Sequence, residues 1–143
     1  MPEAILFAAC EKVIIDTDGL VSLITVIERL EVTVPLGIEL PPNAAVPQRW
    51  QVVAIWSLEQ SELGLYEQMT DMIFADGSSA MHTEPKTLQS AIPGRTGVKI
   101  VSTITVVPIT DGILRLRLFL RPIGELHWKH VASFPLNVVV VRL

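Results

Sequence analysis

One cysteine, Cys10, stands in 143 residues, so no internal disulfide can form. That usage suits a reducing compartment, and the cytoplasm is the expected location. Charged residues make up only 18% of the chain and aromatic residues 6%, against 50% apolar residues. So little charge beside so much apolar character excludes an intrinsically disordered chain. No apolar run approaches the roughly 18–20 residues that span a bilayer, so no membrane partner is expected. The longest run near the start ends in Leu6-Phe7-Ala8-Ala9-Cys10, which is similar to a lipoprotein cleavage box. Such a box requires a basic start and a longer apolar segment, whereas this chain starts Met1-Pro2-Glu3. The stretch therefore reads as a first β-strand with a buried thiol. Eleven basic residues against fifteen acidic ones leave a net charge of −4. A general polyanion binder needs a local excess of Lys and Arg, so nucleic acid is not an expected partner.

What is abundant is β-branched. There are 17 Val, 14 Ile and 10 Thr, punctuated by 10 Pro and 8 Gly. This is the profile of many short strands joined by turns. The length fits one domain over residues 1–143. Charge is unevenly spread. Residues 1–72 hold eleven acids and three bases, and residues 73–143 hold four acids and eight bases. If the two halves interleave the charges mix; otherwise the surface is bipolar.

Strands are expected at Ala4–Ile15 and Leu20–Ile27, the second continuing through Leu30–Val34, with Asp16-Thr17-Asp18-Gly19 as the hairpin turn between the first two. Four prolines (Pro35, Pro41, Pro42 and Pro47) make 35–47 a proline-rich surface loop. In Arg49–Leu58, Trp50, Val52, Ala54, Trp56 and Leu58 share one face. Leu65–Phe74 fits a helix nearly as well as a strand, but Gly64 and Asp76-Gly77 favour a strand. Residues 80–90 read as a polar edge strand interrupted by Pro85. Val98–Val107, Ile113–Leu120, Leu126–Val131 and Leu136–Arg142 complete about eight or nine strands. The period of two is cleanest where Leu114, Leu116, Leu118 and Leu120 face one way and Arg115, Arg117 and Arg121 the other.

Three stretches carry a resemblance: Asp18-Gly19 before Leu20-Val21-Ser22-Leu23-Ile24; Phe74-Ala75-Asp76-Gly77; and Asp111-Gly112-Ile113-Leu114-Arg115-Leu116-Arg117-Leu118, then Gly124, then Phe134-Pro135-Leu136-Asn137-Val138. Together they resemble a family of small, uncharacterised bacterial β-sandwich proteins. The resemblance implies an all-β fold, an immunoglobulin-like antiparallel β-sandwich, and brings no catalytic residues with it.

Site chemistry is sparse. His127 and His130 are three apart, so on a strand they point to opposite faces and cannot close on one metal ion. His82 and Glu84 would share a face on an exposed edge. Asp16-Thr17-Asp18-Gly19 resembles the front of a calcium loop, but the position that needs a bidentate Glu is Ile27. Gly94-Arg95-Thr96-Gly97 resembles a phosphate cradle, but no helix follows it, and a hairpin loop is the expected reading. No nucleophile elbow or acid–base pair is recognisable. No cofactor and no metal site are expected, and the chain does not read as an enzyme.

The leading expectation is a protein-binding or self-assembly module. The alternative is a small-ligand-binding sandwich with Trp50, Trp56 and Trp128 around an apolar cavity; an enzyme of unrecognised type comes third. Arg115, Arg117 and Arg121 form a candidate surface for an anionic partner, unless acids of a neighbouring strand pair with them. Val138-Val139-Val140-Val141 is apolar on both strand faces, and Ile113, Phe119, Val53, Ile55, Val101 and Val107 break alternation on faces that should be wet. With no helix to cover a second sheet face, Val139 and Val141 are expected to meet a second copy, giving a homo-oligomer, unless the 35–47 loop covers them.

Overall fold

The structure, a computed structural model, describes residues 1–41 and 43–143. Its strands are β1 (Glu3–Ile15), β2 (Val21–Val26), β3 (Arg29–Val34), β4 (Ala45–Ser57), β5 (Tyr66–Ile73), β6 (Ser79–His82), β7 (Lys86–Thr87), β8 (Gly97–Pro108), β9 (Gly112–Pro122) and β10 (Lys129–Arg142). One 3-10 turn, Gln60–Glu62, precedes β5. The strands form two sheets, β2-β1-β4-β8 and β3-β10-β9-β5-β6, with β7 also on β5. The chain is therefore all-β.

Several boundaries differ from the sequence reading. Leu65–Phe74 is a strand, as the flanking turns indicate. Residues 80–90 split at Pro85 into β6 and β7. The strands expected at Leu126–Val131 and Leu136–Arg142 are one long strand that begins only at Lys129, with a bulge between His130 and Ala132. Pro135 is tolerated inside β10 because it precedes Asn137, where the β3 ladder begins, so its missing N–H leaves no bond unmade there. The proline-rich loop ends at Ala44, since β4 starts at Ala45 and carries Pro47 at a bulge; Pro42 lies outside the described residues. The loop closes one end of the molecule: Leu36 N donates to Leu143 O, Arg142 Nη1 donates to Ile38 O, and Leu40 packs on the core.

Two findings correct the antiparallel expectation. The segment 20–34 is not continuous: Ile27 N still donates to Ala9 O in the first sheet, while Glu28 O accepts from Asn137 N in the second. The chain changes sheets within one residue. As a result β3 pairs with β10 in parallel, Leu30 opposite Val138 and Val32 opposite Val140. Every other ladder is antiparallel.

The core lies between the sheets. β9 supplies Leu114, Leu116, Leu118 and Leu120, and β4 supplies Trp50, Val52, Ala54 and Trp56, all buried. A bulky indole in a core must still satisfy its N–H. Trp50 Nε1 donates to Val106 O (3.0 Å), and Trp56 Nε1 donates to Gln68 Oε1 (2.6 Å). Val107 belongs to this core rather than to a wet face. The β4–β8 ladder has a bulge between Pro47 and Trp50, with two β4 residues opposite one of β8, and just beyond it Val106 is exposed and Val107 buried.

β4 is also buried on its other side, where Val53 is 0% exposed and its neighbours Ala8 and Cys10 are buried too. The chain's own β1–β2 hairpin reaches this side at two places, Gln51 and Lys99, on either side of Val53. Past Cys10, β1 leaves β4 and pairs with β2 alone. Thr25 takes φ +53 there, a left-handed value that a β-branched residue adopts only under constraint. The hairpin then folds back over the sheet. Val13 N donates to Gln51 Oε1 (2.7 Å), and Gln51 Nε2 reaches Thr103 Oγ1 (3.2 Å) on the same outer face. The hairpin tip arrives over the far end of β8, so that a Cβ on Gly19 would lie 3.0 Å from Ile92 Cδ1 and 3.5 Å from Lys99 Nζ. Burial pushes the Cys10 thiol above its ordinary pKa, against a smaller lowering by a hydrogen bond from the Lys12 backbone. A thiol so placed is inert.

Leu116→Ala should cost about 2–5 kcal/mol in chemical denaturation, because it removes a fully buried side chain from the middle of the central strand of its sheet; a loss under about 1 kcal/mol would mean the cavity collapses freely. A second outcome concerns the turn after β5. Asp76 Oδ1 accepts from Ser78 Oγ (2.6 Å) and Ser78 N (2.9 Å), and these bonds, the hydroxyl's first, hold its carboxyl below the usual carboxylate range. Its folded value lies below its unfolded one, so this stabilisation is complete above the ordinary carboxyl range and is lost as pH falls through the lowered value. Ser78→Ala should move the Asp76 titration, followed by NMR, back toward the ordinary range.

Candidate functional site

Residues opposite one another in a ladder share a face. Along β9 the outward residues are Ile113, Arg115, Arg117, Phe119 and Arg121. Their β10 partners include Asn137, Pro135, Ser133 and His130, and their β5 partners include Ile73, Asp71, Met69 and Glu67. Val139 and Val141 continue the same face along β10, opposite Glu31 and Thr33 of β3. The five residues singled out from sequence thus lie on one surface, the outer face of the second sheet. Its two ends differ in chemistry.

At the β5 end the arginines are held by acids. Arg117 makes a two-pronged contact with Asp71, Nε to Oδ1 at 2.9 Å and Nη2 to Oδ2 at 2.5 Å. Arg121 Nε donates to Glu67 Oε1 at 2.7 Å. The Asp71 hydrogen bond raises the Arg117 pKa above its already high value, against partial desolvation. Both guanidiniums also lie over rings, Arg117 over Phe119 (5.0 Å) and Arg121 over Trp128 (4.0 Å). Phe119 in turn packs against the His130 ring, with centroids 5.4 Å apart. The result is a row of alternating charge and π surface, in which each cation is partly desolvated and oriented. Of the three arginines, only Arg115 pairs with no acid among the described residues.

At the other end the face is apolar. Ile113 is 49% exposed, Pro135 is exposed, and Val139 and Val141 are half-buried. The acids and bases of the two halves of the chain interleave across β5 and β9, so the surface is not split into an acidic and a basic side.

Other singled-out residues are dispersed. Trp50 and Trp56 are core residues while Trp128 lies under Arg121, so the three tryptophans do not line one cavity. His130 Nε2 lies 2.7 Å from Ser133 Oγ, and His127 precedes β10 in the turn. Among the described residues no group of three His, Cys, Asp or Glu side chains could hold a metal ion. Sequence reasoning did not find Asp71 and Glu67 as the arginines' partners. A signal was present, because Glu67 and Asp71 are four apart, as are Arg117 and Arg121. Only the strand order shows that β5 lies beside β9.

A double-mutant cycle of Arg117→Gln and Asp71→Asn should return a coupling of up to about 1 kcal/mol, the range of a partly exposed pair with good geometry. Zero coupling would show that the contact does not persist in solution.

The chain matches no protein-family model and no curated protein, so the reading of its surfaces rests on geometry.

Proposed function

We propose that this protein is a non-enzymatic interaction module that assembles with copies of itself through the outer face of its second sheet. One observation supports this reading most. Ile113, Phe119, Met69, Val139 and Val141 share a face on which no other element is stacked among the described residues, with Ile113 49% exposed and the other four half-buried, whereas the first sheet has the β1–β2 hairpin over it, itself with exposed Ile14, Leu20, Ile24 and Val26. A self-complementary patch closes most economically around a twofold axis, apolar end against apolar end. The rings and paired arginines at the other end would frame such a contact, since Arg and aromatic residues are the side chains that interfaces favour.

The finer architecture belongs to the same proposal. We read the two stacked sheets as an immunoglobulin-like sandwich related to the bacterial proteins that its turns resemble, with the parallel β3–β10 ladder as its main departure. A cytoplasmic setting fits the single buried thiol. No helix among the described residues is long and apolar enough to cross a membrane.

Light scattering at micromolar concentration should give a mass that is a multiple of 15.7 kDa. Ile113→Lys with Val139→Lys should return it to the single-chain mass with the fold retained. A wild-type mass that stays at the single-chain value as concentration rises would end this reading.

A further inference from the structure

The hairpin that covers the first sheet leaves a cleft of about 440 Å3 where its tip meets the 89–99 segment. Two stretches that were each a bare turn in the sequence, Asp16–Gly19 and Gly94–Gly97, form its opposite walls. The second is entered through a turn in which Arg95 N donates to Ile92 O, with Pro93 and then Gly94 (φ +79) at its centre, the order that a type II turn requires.

We propose that this cleft binds a small organic anion whose phosphate or carboxylate group sits between Arg95 and Lys99. The volume is in the range of small-molecule sites, roughly 300–1,000 Å3. Arg95 and Lys99 both line the cleft, and neither forms an ion pair with any acid among the described residues. Among the described residues other basic side chains, including Arg115, also have no carboxylate partner, and what sets Arg95 and Lys99 apart is that both line one cleft. The acid that lines the same cleft, Asp16, is not within ion-pair distance of either cation. Its Oδ1 accepts from the amides of Asp18 and Leu20, both at 2.9 Å, which keeps it committed to its own turn.

With two cations and one acid, Asp16, among its lining residues, the cleft has a local positive balance in a protein of net charge −4, which favours an incoming anion. Arg offers a planar fork and Lys a point charge, a combination suited to an oxyanion. The floor is shaped for it. Lys99 rises from the outer face of the first sheet to within 3.5 Å of where a Gly19 Cβ would stand and 3.8 Å of a Gly97 Cβ, so side chains at these glycines would crowd the ammonium. Ile15 and Ile92 provide apolar walls, and the Thr17 and Thr96 hydroxyls are on hand to orient the bound group. A ligand here would also bridge the hairpin to the 89–99 segment. The cleft is on the opposite sheet from the proposed assembly face, so the two readings stand or fall separately.

The test is an NMR amide titration with inorganic phosphate and, separately, with citrate, each against sodium chloride at matched ionic strength. Saturable shifts centred on Asp16–Gly19 and residues 94–99 are expected with at least one of the two anions. Saturation by phosphate alone assigns a phosphate ester, by citrate alone a carboxylate, and by both the shared oxyanion chemistry. Arg95→Ser with Lys99→Ser should weaken binding about tenfold or more, as the loss of two charge-assisted hydrogen bonds implies. Arg95→Gln, at an exposed position, gives a second variant that leaves Lys99 packed. Shifts that grow linearly without saturating, that match the chloride control, or that survive in the double variant would overturn the proposal.

Discussion

Burial of β4 on both of its sides is the constraint on which the rest of the molecule depends. Trp50, Val52, Ala54 and Trp56 require the second sheet above them, and Val53, flanked by Ala8 and Cys10, requires a cover below. A strand that is apolar on both faces is normally sandwiched between helices, and the described residues form no α-helix. The cover comes instead from extending β1 beyond the end of its β4 ladder and folding the excess back as a hairpin. The kink at Thr25 permits the bend, and Gln51 secures it by accepting from the otherwise unpaired Val13 amide. A free strand edge placed over an apolar surface would leave backbone donors unmet, and the Gln51 side chain removes that cost at one position.

That arrangement has consequences at both ends of the hairpin. At its base the chain has to leave the first sheet, and it does so within the Ile27–Glu28 step, which delivers β3 to the open edge of β10 in parallel. At its tip the hairpin meets the 89–99 segment without an ion pair among the described residues, which leaves Arg95 and Lys99 without counter-ions at the edge of a cleft. Cover for the first sheet therefore leaves a cleft of about 440 Å3 at the hairpin tip. Among the described residues the second sheet has no such cover. Its outer face is instead stabilised in the plane of the sheet, through Arg117–Asp71 and Arg121–Glu67 and the rings beneath the guanidiniums. Stacked and paired in this way, the arginines are less hydrated than free ones, and a face of this kind is easier to desolvate against a partner.

Much of the fold was legible because period-two alternation and turn chemistry are local. The leucines of β9, the tryptophan face of β4 and the Asp-Gly turns each follow from residues within a few positions of one another. Alternation failed as a guide at Val106–Val107, next to the β4–β8 bulge, and a bulge depends on how two strands pair rather than on one strand's own pattern. It also could not say what lies over Val53. The sequence reading offered a second copy or the 35–47 loop, and the cover is a hairpin whose own sequence reads as an ordinary pair of strands.

The candidate sites divide in the same way. The sequence by itself determined that Arg115, Arg117 and Arg121 share a face, because side chains two apart on a strand cannot do otherwise. Which acids meet two of them, and which arginine is left over, was decided by strand order, a property of the whole sheet. The cleft belongs entirely to tertiary structure. Asp16–Gly19 and Gly94–Gly97 lie far apart in the chain, and each satisfies its own turn requirements alone, so nothing local ties one to the other. They meet because the β1–β2 hairpin lies over the outer side of β4, which brings its tip to the 89–99 segment.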